Sequence, residues 1–171
     1  MPITPDTKNW TWVVDRPCDE CGFDGSRFAR ADVAGAVRAN AAAWPAVMRR
    51  PDVRERPNDS TWSALEYAAH VRDVLRLYDY RLQLMLDQDD PVYPNWDQDA
   101  TAVAERYNEQ DPAVVGDELV AAAAAIADRF DALDDSQWQR RGRRSDGAEF
   151  TVSTFAVYFV HDVVHHLSDV G

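Results

Sequence analysis

The feature that most constrains the fold of this chain is a long amphipathic segment that begins at Ser63. Ser63 and Glu66 have the spacing of a capping box, and Trp62 stands where a hydrophobic staple begins. Apolar residues then recur every three or four positions as far as about Leu86, and a run of aspartates before Pro91 ends the pattern. We therefore expect one long helix that starts after Ser63 and turns its apolar stripe towards a core.

Three other segments have the same helical periodicity. The first covers about 31–48, the next begins at the pair Asp111 and Pro112, and the last is capped by Thr151 or Ser153. The chain has only 7 glycines and is rich in alanine, which favours helices over a turn-rich β architecture. Four long helices predict an all-α fold. We expect a four-helix bundle over residues 31–171, preceded by an irregular N-terminal arm over residues 1–30.

Charge and hydropathy exclude several classes of partner. The formal net charge is −12 over 171 residues, so the chain lacks the basic surface that nucleic acids and anionic membranes require. It has no apolar run long enough to span a bilayer, and its N-terminus has no basic and then apolar signal pattern. We expect a cytoplasmic protein with neither nucleic acid nor membrane as a partner.

The chain contains four histidines, and three of them can meet if two helices are neighbours. His161 and His165 are four residues apart, so their imidazoles lie on one face of the last helix. His70 lies four residues before Val74 on the apolar stripe of the second helix. His166 is about 100° around the helix from His165 and is expected to point elsewhere. The spacing is compatible with a metal site, and equally with hydrogen-bonded histidines in the core.

Two acidic residues flank His70 on the second helix. Glu66 is one turn before it and Asp73 is three residues after it, so either carboxylate could orient a metal-bound imidazole from outside. The alternative is that both are charges on an exposed helix face, close to an arginine such as Arg72 or Arg76.

Two loops contain candidates for substrate binding. Tyr93 and Trp96 lie in an aromatic loop over 92–99, where they either form a lid over a ligand or cover the core. Arg141 and Arg143 belong to the densest basic cluster of an otherwise acidic chain. These arginines either bind a carboxylate or phosphate of a small ligand, or form a solvated turn that balances nearby acids.

Cys18 and Cys21, the two cysteines of the chain, form a C-x-x-C motif in the N-terminal arm. A zinc ribbon or finger would need two more ligands at similar spacing. A thioredoxin-like motif would need a βαβ context, which this region lacks. We expect a structural turn here, and the alternatives are a labile disulfide or a second metal contact.

The second and last helices together resemble a known family. The stretch Trp62–His70, WSALEYAAH, combined with His161–His166, HDVVHH, is similar to the DinB-like superfamily. That group includes YfiT-type thiol transferases and the N-terminal domain of mycothiol-dependent maleylpyruvate isomerase. The resemblance implies a four-helix bundle, often a homodimer, in which His70, His161 and His165 hold a divalent metal, commonly zinc or nickel.

The resemblance also implies an enzymatic activity. Three imidazoles leave open positions on the ion, and a thiol that binds there becomes a nucleophilic thiolate. We therefore predict a metal-dependent S-transferase in which a low-molecular-weight thiol attacks an electrophilic substrate. One lysine against 17 arginines is typical of GC-rich coding, as in actinobacteria, so the thiol expected is mycothiol.

Two other functions are compatible with the same site. One is a metal-dependent hydrolase that activates water in the open position, and the other is a non-catalytic metal-binding dimer of a stress response. Isomerase activity is not expected, because isomerases of the group typically have Glu at the position of His161 and carry a second domain. The sequence names no separate general base, so no catalytic residue is assigned beyond the metal ligands.

Overall fold

A computed structural model describes residues 3–171 of the chain. Five α-helices occur within the described residues, and four of them are the long helices expected from the sequence. The fifth, α3, is a short helix in the connection between the second and third long helices. The helices are α1 (Val33–Met48), α2 (Ala64–Asp87), α3 (Gln98–Ala104), α4 (Pro112–Asp131) and α5 (Val152–Asp169).

The four long helices enclose one hydrophobic core. α4 packs against both α1 and α2, and α5 packs against the same two helices. Trp44, Leu82, Ile126 and Phe159, one from each long helix, are fully buried in this core. The arrangement confirms the predicted helix bundle. No described helix combines the length and the apolar character that crossing a membrane requires.

Side chains cap the helices where the sequence predicts. Ser63 Oγ accepts a hydrogen bond from the Glu66 N–H, and the Glu66 carboxylate accepts one from the Ser63 N–H, which completes the capping box. Asp111 accepts hydrogen bonds from the first N–H groups of α4, and Thr151 caps α5 by accepting from the Thr154 N–H. Each cap of this kind stabilises its helix by about 1 kcal/mol.

A small three-stranded sheet packs on the bundle, and the sequence pattern did not predict it. β1 (Val92–Tyr93) pairs in parallel with β2 (Arg141–Arg144), which pairs antiparallel with β3 (Glu149–Thr151). Such short strands show no clear period-two pattern. A Cβ at Gly142 would lie 2.7 Å from Met85 Cγ, so glycine lets β2 approach α2 closely.

The N-terminal arm is folded against the bundle. Its described part contains three short 3-10 segments: Thr11–Val14, Gly25–Arg27 and Arg30–Asp32. Val13 and Cys18 are buried, and the first 3-10 segment contacts α5. A Cβ at Gly25 would lie 2.6 Å from Val157 Cγ1 of α5, so the absence of a side chain at Gly25 allows the arm and the helix to meet.

Candidate metal centre

Three donor groups from α2 and α5 meet between the two helices. His70 Nε2 lies 3.1 Å from His166 Nε2, and Asp162 Oδ2 lies 3.9 Å from His70 Nε2. Asp162 Oδ1 lies 3.5 Å from His166 Nε2. Donors bound to one ion at 2.0–2.2 Å lie roughly 3–4 Å from one another, so this triangle has the dimensions of a metal site. We call these three residues the candidate centre.

Helix geometry brings the candidate centre together. Asp162 and His166 are four residues apart, so they lie one above the other on the face of α5 that meets α2. His70 is fully buried on the opposing face of α2. The ring of Trp96 stacks parallel on the ring of His70 at 5.3 Å between centroids, and Tyr67 packs on His166 at 5.3 Å. These aromatic contacts restrict the orientation of both imidazoles.

Burial and charge give the residues of the candidate centre different protonation states. Burial lowers the pKa of His70 to about 3. Burial alone would also lower the pKa of His166, but the carboxylates of Asp162 and Asp169 outweigh it and raise this pKa to about 9. Burial would raise the pKa of Asp162, but His166 outweighs that effect and lowers it to about 2. The centre therefore contains a neutral imidazole at His70 and an ionised carboxylate at Asp162, the forms that coordinate metals, whereas His166 carries a proton at neutral pH that an incoming ion would displace.

The donor set fits a divalent metal. Two imidazoles and one carboxylate are the protein ligands of several zinc hydrolases, and they leave a further position open. His166 Nδ1, the ring nitrogen that faces away from His70, lies 3.1 Å from Asp169 Oδ2. A carboxylate at this position fixes the ring with its other nitrogen directed at an ion.

The structure divides the four histidines between two groups of donor atoms. The candidate centre is one group. The other contains His161 and His165, whose donor atoms lie within 4.8 Å of those of Cys18 and Cys21. Among the described residues, no group of donor atoms at this spacing joins His70 to His161 or His165.

The structure therefore does not bring His70 together with His161 or His165, whose convergence the resemblance implied. Successive residues of an α-helix are rotated by about 100° around its axis. The pair at positions 161 and 165 therefore faces a different direction from the pair at positions 162 and 166. The pair Asp162 and His166 faces α2, whereas the pair one residue earlier faces the N-terminal arm. His166 was expected to point elsewhere, but it is the α5 histidine that reaches His70.

The two carboxylates predicted to support a metal-bound histidine have other partners. Glu66 accepts a hydrogen bond from Arg56 Nε at 2.8 Å, and Asp73 accepts one from Arg72 Nε at 2.9 Å. In the candidate centre, the carboxylate that contacts the outer nitrogen of a histidine is that of Asp169. The sequence could have indicated Asp169 for this role, because Asp169 lies three residues after His166 and therefore on the same helix face.

A cleft of about 990 Å³ opens beside the candidate centre, and Asp162 belongs to both. Trp96 lines this cleft as well as stacking on His70, so its position suits contact with a bound molecule. Tyr93 is only 1% exposed, and its ring lies 4.7 Å from the guanidinium of Arg81. Tyr93 therefore contributes to the core and supports Arg81, which itself lines the cleft.

Arg141 and Arg143 are not among the residues that line the cleft. Arg143 pairs with Asp90 at the surface. The arginines of the cleft wall are Arg81 and Arg144. Alternate side chains of a strand point to opposite faces, so β2 directs Arg144 to one face and the other two arginines to the opposite face. This distinction depends on recognising β2, which the sequence did not reveal.

Tyr158 is a further cleft residue that the sequence analysis did not single out. It lies one turn before Asp162 on the same face of α5, and both line the cleft. Arg144 Nη1 donates a hydrogen bond to the Tyr158 hydroxyl at 3.4 Å. Burial raises the pKa of Tyr158 above its usual value, so the hydroxyl keeps its proton at neutral pH. The group can therefore donate a hydrogen bond into the cleft.

Comparisons with known proteins agree with the fold. A family model of the DinB superfamily matches residues 35–170. The chain is similar to the solved structure of YfiT from Bacillus subtilis, with 19% sequence identity, a TM-score of 0.69 and 81% of each chain covered. YfiT is described as a probable metal-dependent hydrolase with an unusual four-helix bundle topology. A comparison with curated proteins gave no match. Because the family model spans most of the sequence, this chain belongs to the DinB superfamily.

Proposed function

We propose that the protein is a metal-dependent hydrolase whose reaction takes place at the candidate centre of His70, Asp162 and His166. One observation carries the proposal: Asp162 is a member of the donor triangle and also lines the cleft. A metal held by the triangle is thereby adjacent to a space that can accept a substrate. The description of the structurally similar YfiT as a probable metal-dependent hydrolase supports the same function.

The residues of the chain have separate tasks in this proposal. A bound divalent ion supplies Lewis acidity, which lowers the pKa of a coordinating water or thiol. The three residues of the candidate centre would hold the ion between two helices. Asp169 orients the His166 ring. Trp96 covers one face of the His70 imidazole, which limits the access of bulk water to that ligand. In hydrolysis, water oxygen bonds to the acyl carbon, the bond to the leaving group breaks, and the leaving group takes a proton.

A buried cation in the cleft wall indicates the class of substrate. Arg81 is 4% exposed, and none of the described carboxylates forms an ion pair with it. Its side chain donates one hydrogen bond to the Pro94 carbonyl at 2.7 Å and packs over the rings of Tyr78 and Tyr93. A buried cation without a counter-charge attracts an anionic group. We therefore propose a small substrate that carries a carboxylate or phosphate.

Tyr158 supplies a hydrogen-bond donor on the same wall. Its hydroxyl accepts from Arg144, which leaves its own hydrogen available to a substrate oxygen. It lies one helical turn from Asp162, so a substrate oxygen that receives this hydrogen bond is held close to the metal ligands. A donor fixed before the reaction stabilises the negative charge that develops on a carbonyl oxygen during attack.

Thiol transfer is the second candidate, and the size of the cleft favours it. Ligand pockets measure roughly 300–1,000 Å³, and this cleft of about 990 Å³ has room for a thiol such as mycothiol together with an electrophile. In that reaction the thiol proton passes to solvent, sulfur bonds to the electrophilic carbon, and the leaving group departs with its electron pair. Zinc and nickel are the metals proposed for either reaction.

The test uses untagged protein freed of metal with a chelator and reloaded with zinc or nickel. Hydrolysis of activated esters with and without a carboxylate is measured beside conjugation of mycothiol to an electrophile such as monochlorobimane. His166→Ala should lower the metal-dependent rate at least about 100-fold, since it removes one ligand. Arg143→Ala, whose side chain pairs with Asp90 at the surface, should match the wild type.

The outcomes separate the candidate functions. Ester hydrolysis that depends on metal and on His166 supports the hydrolase. Conjugation that requires the thiol, without hydrolysis, assigns the protein to S-transfer. If the candidate centre binds one equivalent of metal and neither activity is found, the protein is the non-catalytic metal-binding protein. A reaction rate that is unchanged in His166→Ala contradicts both enzymatic proposals.

A further inference from the structure

A second group of donor atoms lies where the N-terminal arm meets α5. We propose that Cys18, Cys21, His161 and His165 form a Cys2His2 site for a structural zinc ion, separate from the candidate centre. Neither the proposed hydrolysis nor the thiol transfer uses any of these four side chains.

Four donors of the kinds that zinc prefers converge at this place. Their ligand atoms all lie within 4.8 Å of one another, and Cys18 Sγ lies 3.7 Å from His165 Nδ1. Around a tetrahedral zinc ion with Zn–S near 2.3 Å and Zn–N near 2.0 Å, sulfur and nitrogen lie roughly 3.5 Å apart. Two thiolates and two imidazoles complete a four-coordinate shell, which characterises structural sites. The candidate centre, by contrast, has three ligands and an open position.

The backbone of the arm presents the two thiols as a pair. The Cys18 N–H donates to the Phe23 carbonyl at 2.8 Å, and the Gly22 N–H donates to the Cys18 carbonyl at 2.8 Å. Gly22 has a φ of +76°, a conformation that other residues adopt only with strain. The glycine after Cys21 therefore permits a tight turn that brings both cysteines to the histidine pair of α5.

The site is shielded from solvent, and one of its nitrogens has no partner. Cys18 is 1% exposed and His161 is 4% exposed. His161 Nε2 is buried without a hydrogen-bond partner, which costs free energy unless the nitrogen binds something. The ring of Trp10 covers both histidines, at 5.5 Å from His161 and 4.9 Å from His165 between centroids. Coordination to zinc gives the buried nitrogen a partner.

Carboxylates lie on the outer side of His165. Its Nε2, the nitrogen that does not face Cys18, lies 3.5 Å from Glu20 Oε2 and 3.7 Å from Asp169 Oδ1. Metal-bound histidines are usually oriented in this way, with the free nitrogen directed at a carboxylate. The arrangement leaves Nδ1 as the ligand atom and directs it at the Cys18 sulfur.

Charge balance also suits zinc. When the ion binds, the two thiols release their protons to solvent, and two thiolates neutralise the double positive charge. The ion and its four ligands then have no net charge. An ion at this place joins residue 18 to residue 165 and ties the arm to the helix that supplies Asp162 and His166. The expected role is structural, since the ion keeps the arm folded on α5.

The experiment compares metal content and cobalt spectra in three full-length, untagged proteins purified with a thiol reductant. They are the wild type, the double variant Cys18→Ser/Cys21→Ser and the double variant His70→Ala/His166→Ala. We expect about two zinc ions per chain in the wild type and about one in each variant. Cobalt in the wild type and in His70→Ala/His166→Ala should show a thiolate-to-metal charge-transfer band with intense tetrahedral bands, and Cys18→Ser/Cys21→Ser should lack the charge-transfer band.

Two further measurements on the wild type keep the proposal testable if Cys18→Ser/Cys21→Ser does not fold. Both thiols should resist a thiol reagent until a strong chelator removes the ion. Trypsin should then cut the arm after Lys8 or Arg27 while the helical circular dichroism of the bundle persists.

The results that would overturn the proposal are specific. Cobalt-loaded wild type without a charge-transfer band would do so, as would a Cys18–Cys21 disulfide in protein kept under reductant. If instead the candidate centre fails to hold metal, the wild type should contain about one zinc ion per chain. His70→Ala/His166→Ala should keep this ion, and Cys18→Ser/Cys21→Ser should lose it. That pattern would refute the proposed function and support the structural zinc site.

Discussion

The rings of His165 and His166 stand at 86° to each other although the residues are adjacent in the chain. His166 faces α2 and the candidate centre, whereas His165 faces the arm and Cys18. The carboxylate of Asp169 lies between them, with Oδ2 3.1 Å from His166 Nδ1 and Oδ1 3.7 Å from His165 Nε2. One carboxylate therefore contacts a histidine from each group of donor atoms.

Asp169→Asn should weaken metal binding at the candidate centre. A neutral amide is a weaker acceptor for the His166 N–H than a carboxylate, so we expect the zinc affinity to fall roughly 10–100-fold. The measurement is competition with a chromophoric chelator in the Cys18→Ser/Cys21→Ser background, where only the candidate centre takes up zinc. Asp135→Asn changes an exposed carboxylate and should leave the affinity unchanged. Full affinity in Asp169→Asn would show that this carboxylate does not support His166.

Tyr158→Phe should slow the reaction without weakening the fold. The substitution keeps the ring that packs on Phe150 and removes only the hydroxyl that faces the cleft. Because a donor to a developing oxyanion acts mainly in the transition state, kcat should fall by about 100-fold with little change in KM. Tyr80→Phe, at a residue 60% exposed, should match the wild type in both constants. A change confined to KM would assign Tyr158 to ground-state binding.

Arg81→Met should discriminate between charged and neutral substrates. A hydrogen-bonded cation that binds an anion contributes about 1.5–3 kcal/mol, so KM for a carboxylate-bearing ester should rise roughly 10–100-fold. The neutral isostere of the same ester is the matched control, and its KM should stay within about twofold. Equal losses for both esters would mean that Arg81 only shapes the wall, through Tyr93 and the Pro94 carbonyl.

The helices could be predicted from the sequence because their signals are local. The Ser63 capping box, the Asp111 cap and the Thr151 cap each involve contacts within three residues, and they mark the starts of α2, α4 and α5. The sheet depends on pairing between β1 and β2, which are separated by about fifty residues in the chain. Pairings at such distances leave little trace in a single sequence when the strands are short.

The sequence did not indicate which pair of residues on α5 meets His70, and the reason is physical. Residues 161–166 contain two pairs at i and i+4, His161 with His165 and Asp162 with His166, and periodicity alone does not say which pair faces α2. The number of donors that each proposed site needs could have indicated which pair faces α2. In the proposed zinc site, the C-x-x-C motif at Cys18 takes the H-x-x-x-H pair as its two further donors, which leaves the pair with a carboxylate for the proposed centre at His70.

Glu66 was a candidate to support His70, but its carboxylate pairs with Arg56 and closes the α2 capping box with Ser63. Burial alone would raise the pKa of Glu66, but the Arg56 guanidinium and the Ser63 N–H outweigh it and lower the pKa. Glu66→Gln should therefore reduce the free energy of unfolding at pH 7 by about 1–3 kcal/mol, the usual cost of disrupting one buried, charge-assisted hydrogen-bond pair.

The pH dependence of this effect follows from the direction of the shift. A carboxyl group whose pKa is lowered in the folded state stabilises the protein fully above its unfolded pKa, and the stabilisation is lost as the pH falls through the folded pKa. The difference between wild type and Glu66→Gln, measured by urea unfolding, should therefore shrink as the pH falls below about 4.5. Glu55→Gln, at an exposed position, should change the free energy of unfolding by less than about 0.5 kcal/mol throughout. A difference that does not vary with pH, or loss of metal from the candidate centre in Glu66→Gln, would return Glu66 to a role beside His70.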